Sequence, residues 1–358
     1  MFGMQSGNLL QINSFFLKLP HMNNLTKCFF AISTLFISAS SLNAQTTEVY
    51  TLDKKIQVAG DSGYDYLSID DVNRRLYVSH GVSVNVIDLN TEKVIGEIKD
   101  MKGVHGIAIA NDLNKGFISD GRADAVVVFD LKTLDKITTI PVSGKGPDAI
   151  TYDPHSQQVF SFNGKSSNAS VIDAKTLKQV GTVDLGGGPE FAVPDGKGVM
   201  YNNLEDKNSL NVIDTKSLKV IKNYPLDPCG GPTGLALDKN HQRLFTVCRQ
   251  NKGMSVVDIN SGKVITTLPI GAGVDAVAYD PVTSLIICSN GDGTTTIIKQ
   301  NSADNYTVVQ TLNTQVRAKT MALDPKTHKI YLSVAEFENG TRNIIPGTFT
   351  VLIYKLKG

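Results

Sequence analysis

The chain has 358 residues, of which 41% are hydrophobic and 19% are charged, a balance typical of a globular protein with a sizeable core. Its formal net charge is +1 at pH 7. A near-neutral chain gives no electrostatic reason to expect nucleic acid or an anionic membrane surface as its main partner.

The N-terminal segment has the organisation of a secretory signal peptide. Lys27 precedes a run of apolar and small residues, Cys28–Leu42, and Ala44 offers a small residue at the cleavage point before Gln45. The run is too short to cross a bilayer comfortably. We therefore predict that residues 1–44 are an upstream extension and a signal peptide, with Met22 as the better start. The mature chain, 45–358, is predicted to be periplasmic or secreted and to have no transmembrane segment.

Beyond the predicted signal peptide, a sequence repeat of about 42 residues occurs seven times. Its clearest part is a strand that ends in aspartate, and the five terminal aspartates are 41 to 44 residues apart: Asp88, Asp130, Asp173, Asp214 and Asp258. Each repeat contains about four short β-branched runs separated by Gly, Asn or Asp-Pro turns. This period and strand number are typical of propeller blades, so the chain is predicted to be all-β, a seven-bladed β-propeller of four-stranded blades.

The two ends of the repeat region complement each other. The last repeat stops after its third strand, and the segment Val49–Val58 resembles the fourth strands of other repeats, such as Ile137–Val142. We expect this N-terminal strand to pair into the last blade, which closes the ring and covers an exposed edge. Residues 45–358 are accordingly predicted to be a single domain and a monomer.

The repeats also resemble a known family. Arg75–Ser79 (RLYVS), Val86–Asp88 (VID), Thr91 and Lys93–Ile95 (KVI) are similar to the YVTN-repeat propellers of bacterial cell envelopes, YncE-like proteins among them. The resemblance covers Val49–Gly358. It implies a seven-bladed propeller outside the cytoplasm, but it implies no particular reaction, because the repeated residues are structural.

Residues that differ between repeats at one fixed position are the candidate site. Loops at the start of each blade and loops between second and third strands emerge on one face, here called the top face, around the mouth of the central channel. The blade starts contribute Asp65, His105, Asp148, Glu190, Thr233 and Asp275. The outer loops contribute His80, Asp120, Asn163, Asn203, Arg249 and Asn290. We predict that these residues form a polar binding funnel; the alternative is a water-filled mouth with a structural role.

Carboxylates that converge with a histidine are suited to a hard cation or a metal-bound ligand, so the candidate metal ligands are Asp148, Glu190, Asp275 and His105. The repeated aspartates that end the third strands are instead assigned to the scaffold, because an Asp before a tight turn accepts hydrogen bonds from the turn.

The cysteine spacing and the absence of tryptophan narrow the choice of cofactor. Cys229 and Cys248 both approach the top face of blade five, so a disulfide between them is feasible. The chain has no C-x-x-C-H motif and no tryptophan, which disfavours c-type haem and the quinoprotein (PQQ) propellers. A divalent metal remains possible.

Three functions fit this sequence. We favour a non-catalytic envelope protein that binds a protein, a glycan or a small ligand at the top-face funnel. The first alternative is a lactonase-like hydrolase, with His105 or His80 as general acid–base and Arg249 as the oxyanion-binding group. The second is a propeller that handles a metal or tetrapyrrole cofactor through His105 or His80.

Overall fold

The protein is described by a computed structural model that covers residues 48–60 and 62–357. Its strands form seven four-stranded antiparallel sheets. The predicted signal peptide and the Met22 start lie outside the described residues. Within these residues, no helix has the length and apolar character needed to span a bilayer.

Each sheet is one blade, and the chain runs through them in order. Blade 1 has β2 (Tyr64–Asp70), β3 (Arg75–His80), β4 (Ser83–Asp88) and β5 (Lys93–Ile98). Blade 2 has β6 (Val104–Ala110), β7 (Lys115–Asp120), β8 (Ala125–Asp130) and β9 (Lys136–Pro141). Blade 3 has β10 (Pro147–Asp153), β11 (Gln158–Asn163), β12 (Asn168–Asp173) and β13 (Lys178–Asp184). Blade 4 has β14 (Pro189–Pro194), β15 (Val199–Leu204), β16 (Ser209–Asp214) and β17 (Lys219–Pro225).

The remaining blades follow the same pattern. Blade 5 has β18 (Pro232–Asp238), β19 (Arg243–Cys248), β20 (Gly253–Asp258) and β21 (Val264–Pro269). Blade 6 has β22 (Ala276–Asp280), β23 (Leu285–Asn290), β24 (Thr294–Ser302) and β25 (Asn305–Asn313). Blade 7 has β26 (Met321–Leu323), β27 (Ile330–Val334), β28 (Thr350–Leu356) and, from the N-terminus, β1 (Tyr50–Gln57). The only helical elements described are two 3-10 turns, Asn111–Leu113 and Glu205–Lys207.

The first strands of the blades contact one another in cyclic order, from β2 through β6, β10, β14, β18, β22 and β26 back to β2. They therefore line the central channel. The prediction of a seven-bladed propeller is confirmed, and so is closure by the N-terminal strand, because β1 pairs antiparallel with β28 from Tyr50 opposite Leu356 to Gln57 opposite Thr350.

The core lies between blades. Seven apolar clusters are buried, and one of them joins Tyr331 and Phe349 of blade 7 to Leu76 and Ile87 of blade 1. The second and third strands are buried on both faces, whereas outer strands such as β5 are mostly exposed. Burial of both faces of these blade strands is the main stabilising contribution of the fold.

The repeated aspartates have the structural role predicted for them. Asp88 Oδ1 accepts hydrogen bonds from the backbone N–H of Asn90 (3.0 Å) and of Thr91 (2.7 Å) and from the Thr91 hydroxyl (2.8 Å). The same pattern recurs at Asp258. These bonds hold the turn between third and fourth strands and lower the pKa of both carboxyls.

Candidate functional site

The residues at the blade starts are directed into the channel mouth by β-bulges. In five blades the pairing of the first and second strands shifts at this point, for example between Tyr64 and Leu67 in blade 1. Each shift begins directly after the first pair of the two strands. The residue at that point is Asp65, His105, Asp148, Glu190 or Thr233. A bulge adds a residue to one strand and re-aims its side chain, so these five positions leave the regular sheet.

Buried hydroxyl groups on second strands form hydrogen bonds to the start of the next blade. Ser119 Oγ accepts a hydrogen bond from the Gly106 N–H at 2.8 Å and donates one to the carbonyl of Asp148 in the next blade. Ser289 bonds in the same way to the carbonyl of Lys319. Blade 7 is tied to blade 1 by Thr320, whose hydroxyl donates to the Asp65 carbonyl at 2.6 Å. The candidate site is therefore built on a hydrogen-bonded ring of inner strands.

One cluster of the site consists of Asp65, His105 and Asp148, from blades 1, 2 and 3. His105 Nδ1 lies 2.8 Å from Asp65 Oδ2 and 3.5 Å from Asp148 Oδ1. One ligand atom from each residue lies within 4.8 Å of the other two. Asp148 Oδ1 is buried and accepts no hydrogen bond from the described residues. An imidazole nitrogen and two carboxylate oxygens are a donor set for a divalent cation.

A second cluster of the site consists of oppositely charged side chains that form ion pairs. Arg249 Nη1 is 2.7 Å from Glu205 Oε1, and its Nη2 pairs with Asp275. Lys319 also pairs with Asp275. Of the four residues predicted as metal ligands, the structure thus gathers His105 and Asp148 with Asp65, whereas Asp275 is occupied by Arg249 and Lys319. Glu205 lies in the outer loop of blade 4, two residues after Asn203, so the sequence analysis chose the right loop but a neighbouring residue.

Burial and neighbouring negative charges raise the pKa values of two acids in the funnel. Burial, followed by the negative charges of Asp148, Glu205 and Asp275, raises the pKa of Glu190 to about 9. Burial and the charge of Asp65 raise the pKa of Asp148 to about 6. The hydrogen bond that His105 Nδ1 donates to the Asp65 carboxylate raises the pKa of His105. Burial and the neighbouring acids therefore favour the protonated form of Glu190 near neutral pH.

Two aromatic rings meet across the channel below the acids. At the position after the funnel residue most blades have a small residue, such as Gly106 or Ala149, but blade 1 has Tyr66 and blade 4 has Phe191. The centroids of these two rings are 4.9 Å apart. Phe191 also packs against the apolar core of blades 4 and 5. The rings obstruct the channel and give the funnel a floor.

Most residues predicted from the outer loops are not open to the funnel. His80 is buried, stacks on Phe349 with 4.1 Å between ring centroids, and places Nδ1 2.9 Å from Asn85 Oδ1. Asp120 is buried and accepts hydrogen bonds from the backbone N–H groups of residues 102 and 103. Three more outer-loop residues are buried: Asn163, Asn203 and Asn290. Thr233, at the start of blade 5, is also buried.

The buried asparagines act within the scaffold. Asn203 Nδ2 donates to the carbonyl of Thr233 at 2.9 Å and to the Thr246 hydroxyl at 2.9 Å, and so joins blade 4 to blade 5. Asn163 and Asn290 donate to residues of their own blades. Of the six residues predicted from the outer loops, Arg249 contacts charged groups of the funnel, namely Glu205 and Asp275.

Cys229 and Cys248 form a disulfide, with their Cα atoms 5.1 Å apart. It links the loop before blade 5 to the end of β19. Cys288, inside β23, is a buried free thiol.

Comparisons with known proteins support the fold more than a function. No family model matches the chain. The chain is 24% identical over 226 residues to antigen Lp49 from Leptospira interrogans serogroup Icterohaemorrhagiae serovar copenhageni, a match that covers 60% of this chain and 49% of that protein. The match thus spans about half the length of this curated relative, and its identity is low.

Two solved structures are similar in fold. The hydrazine synthase of Kuenenia stuttgartiensis superposes with a TM-score of 0.67 at 18% identity, over 77% of this chain and 94% of that chain. A chain of a mitotic checkpoint complex gives a TM-score of 0.71 at 14% identity, over 98% of this chain and 99% of that one. At these identities the likeness concerns the seven-bladed propeller fold alone.

Proposed function

We propose that the protein is a non-catalytic binding protein of a bacterial cell envelope, and that its ligand binds at the top-face funnel. The signal peptide predicted in residues 1–44 and the resemblance to YVTN-repeat, YncE-like propellers support a periplasmic or secreted location. The similarity to a bacterial antigen is consistent with that location.

The observation that carries the proposal is the Asp65–His105–Asp148 cluster. Three ligand atoms from three blades converge there, and one of them, Asp148 Oδ1, is buried without a hydrogen bond from the described residues. A bound cation compensates both the desolvated oxygen and the adjacent negative charges. We therefore propose a divalent cation, alone or as part of a ligand, as the species held by the cluster.

Calorimetric titration of residues 45–358, freed of metal with EDTA, tests this proposal with Zn²⁺ as the probe. We expect one ion per chain, and at least a tenfold loss of affinity in both His105→Ala and Asp148→Asn, because each substitution removes one of three ligands. His155→Ala is the matched control, since His155 is exposed on a turn of blade 3. Absence of saturable binding, or binding unchanged in both cluster variants, would contradict the assignment.

The hydrolase alternative has weaker support in the geometry. Arg249 would have to leave Glu205 or Asp275 before it could bind an oxyanion, and His80 is buried against Phe349. An esterase or lactonase would show turnover that is lost in His105→Ala while the fold is retained.

A further inference from the structure

Blade 7 departs from the repeat in its connection between β27 and β28. The equivalent connections in the other blades have two to four residues, whereas blade 7 has residues 335–349. This insertion folds back on itself through an isolated bridge between Phe337 and Ile344 and a hydrogen bond from the Glu338 N–H to the Asn343 carbonyl (3.0 Å). A long ordered loop on an otherwise uniform scaffold is a frequent carrier of function.

The insertion covers a pocket of about 850 Å³. Four cationic side chains line it: Arg122 of blade 2, Arg317 and Lys319 at the start of blade 7, and Arg342 of the insertion. None of the described residues that line the pocket is acidic. Its size falls in the range of sites for small molecules, roughly 300–1,000 Å³.

The three arginines of this pocket stand outside the ion pairs that the described residues form. Lys319 pairs with Asp275, but Arg122, Arg317 and Arg342 form no ion pair with any acid among residues 48–60 and 62–357. Arg317 instead lies 3.8 Å above the centre of the Phe337 ring and donates a hydrogen bond to the Thr341 carbonyl. Guanidinium groups that converge without acids are suited to bind carboxylate or phosphate oxygens.

The same pocket has an aromatic side. Tyr64 lies against Phe337, with 6.4 Å between ring centroids, and stacks on Phe349 at 5.5 Å. Both Tyr64 and Phe337 line the pocket and are only partly buried. An apolar surface beside unpaired cations fits a ligand that joins an anionic group to an aromatic or aliphatic body.

We propose that the pocket beneath the blade 7 insertion binds a small organic anion, a carboxylate or phosphate ester with an aromatic or aliphatic body. The lining of this pocket does not include Asp65, His105 or Asp148, although Tyr64 and Arg122 also line an adjoining pocket that contains Asp65 and His105. The proposal therefore goes beyond the proposed function and does not depend on it.

Calorimetric titration of residues 45–358 at low salt tests the site with phenyl phosphate, inorganic phosphate and phenol. We expect one phenyl phosphate per chain, bound about tenfold more tightly than either of the other two, and weakened by added NaCl. Arg342→Ala and Arg122→Ala should each weaken phenyl phosphate about tenfold, because each removes a charge-assisted hydrogen-bond donor. Lys263→Ala, which removes an exposed cation from another part of the surface, should leave the affinity unchanged.

Two further variants separate the components of the site. Phe337→Ala should weaken phenyl phosphate and leave the affinity for inorganic phosphate as it was. Asp148→Asn, in the cation cluster, should leave both unchanged. The proposal is overturned by phenyl phosphate that fails to bind, by binding that survives in both arginine variants with their circular dichroism intact, or by equal affinities for phenyl phosphate and inorganic phosphate.

Discussion

At the scale of single residues, the funnel shows how one position of a repeat acquires different chemistry in each blade. The bulge that starts the first strand is common to five blades, but its first residue varies from Asp65 to Thr233. The local environment then sets the charge of each group. Asp65 is close to His105, whereas Glu190 lies among other acids and is held neutral.

The Glu190 carboxyl should make stability depend on pH. It ionises near pH 4.5 in the unfolded chain and near pH 9 in the folded one, so stability falls as pH rises between these values. Glu190→Gln removes that fall. We expect it to raise the free energy of unfolding by about 1 kcal/mol or more at pH 8 and by little at pH 4.5.

Urea unfolding at the two pH values measures the effect. Glu336→Gln, at an exposed acid of the insertion, is the control and should change stability at neither pH. A Glu190→Gln variant that is destabilised at pH 8, or equally stabilised at both values, would show that Glu190 is charged in the folded protein.

At the scale of elements, ion pairs fasten one blade to the next. Arg74 of blade 1 contacts Asp324 of blade 7 through two hydrogen bonds, one of them 2.8 Å between Nη1 and Oδ1. Burial alone raises the pKa of Asp324, but the bonds from Arg74 and Thr327 outweigh it and lower that pKa to about 2. The pair lies at the junction where the ring closes.

Asp324→Asn should therefore lower stability by about 3 kcal/mol at pH 7, because it leaves the Arg74 charge half-paired in a largely buried position. The unfolded carboxyl is protonated near pH 4 and the folded one only near pH 2, so the contribution of Asp324 is present above pH 4 and is lost as pH falls towards 2. The difference between wild type and variant should shrink over that interval in denaturant unfolding.

Asp135→Asn, at an exposed turn acid of blade 2, is the comparison for this series and should behave like wild type. A difference between Asp324→Asn and wild type that stays constant down to pH 2 would mean that the Asp324 charge contributes nothing.

The sequence repeat made the strands and turns predictable, but features that occur only once in the chain could not be predicted from it. Strands and turns recur with the same residues, so the blades and the closing strand β1 follow from spacing. The Tyr66–Phe191 contact does not, because it depends on the direction of two side chains that replace the small residues of other blades. The insertion 335–349 has no copy elsewhere in the chain, and the inward fold of loops such as that at Asn203 depends on packing, so neither left a periodic signal.

At the scale of the whole molecule, stability depends on a closed ring. Gln310 of blade 6 holds the start of β1: its Oε1 accepts from the N–H of Val49 (2.9 Å) and of Tyr50 (2.7 Å), and its Nε2 donates to the Tyr50 carbonyl (2.8 Å). Tyr50 is fully buried and donates its hydroxyl to the carbonyl of His328 in blade 7. These contacts join the closing strand to two blades at once.

Gln310→Met keeps the size of the side chain and removes all three bonds to β1. We expect the free energy of unfolding to fall by about 3 kcal/mol, since buried backbone groups lose their partners. Because each blade packs on two others, the propeller should still unfold in one transition, with a lower midpoint by circular dichroism and faster hydrogen exchange in β1. Gln315→Met is the control. If the unfolding midpoint of Gln310→Met equals that of the control, the hydrogen bonds of Gln310 to β1 do not stabilise the closed ring.

Closure by β1 has a consequence for biosynthesis. β1 is made about 300 residues before its partner β28, which corresponds to roughly 15–60 s at ordinary rates of synthesis. Throughout that time the first strand has no place in a sheet, and blade 7 is the last to be completed. The pairing that finishes one molecule is then equally available between two, so crowded nascent chains are expected to exchange their first strands and form dimers or longer assemblies.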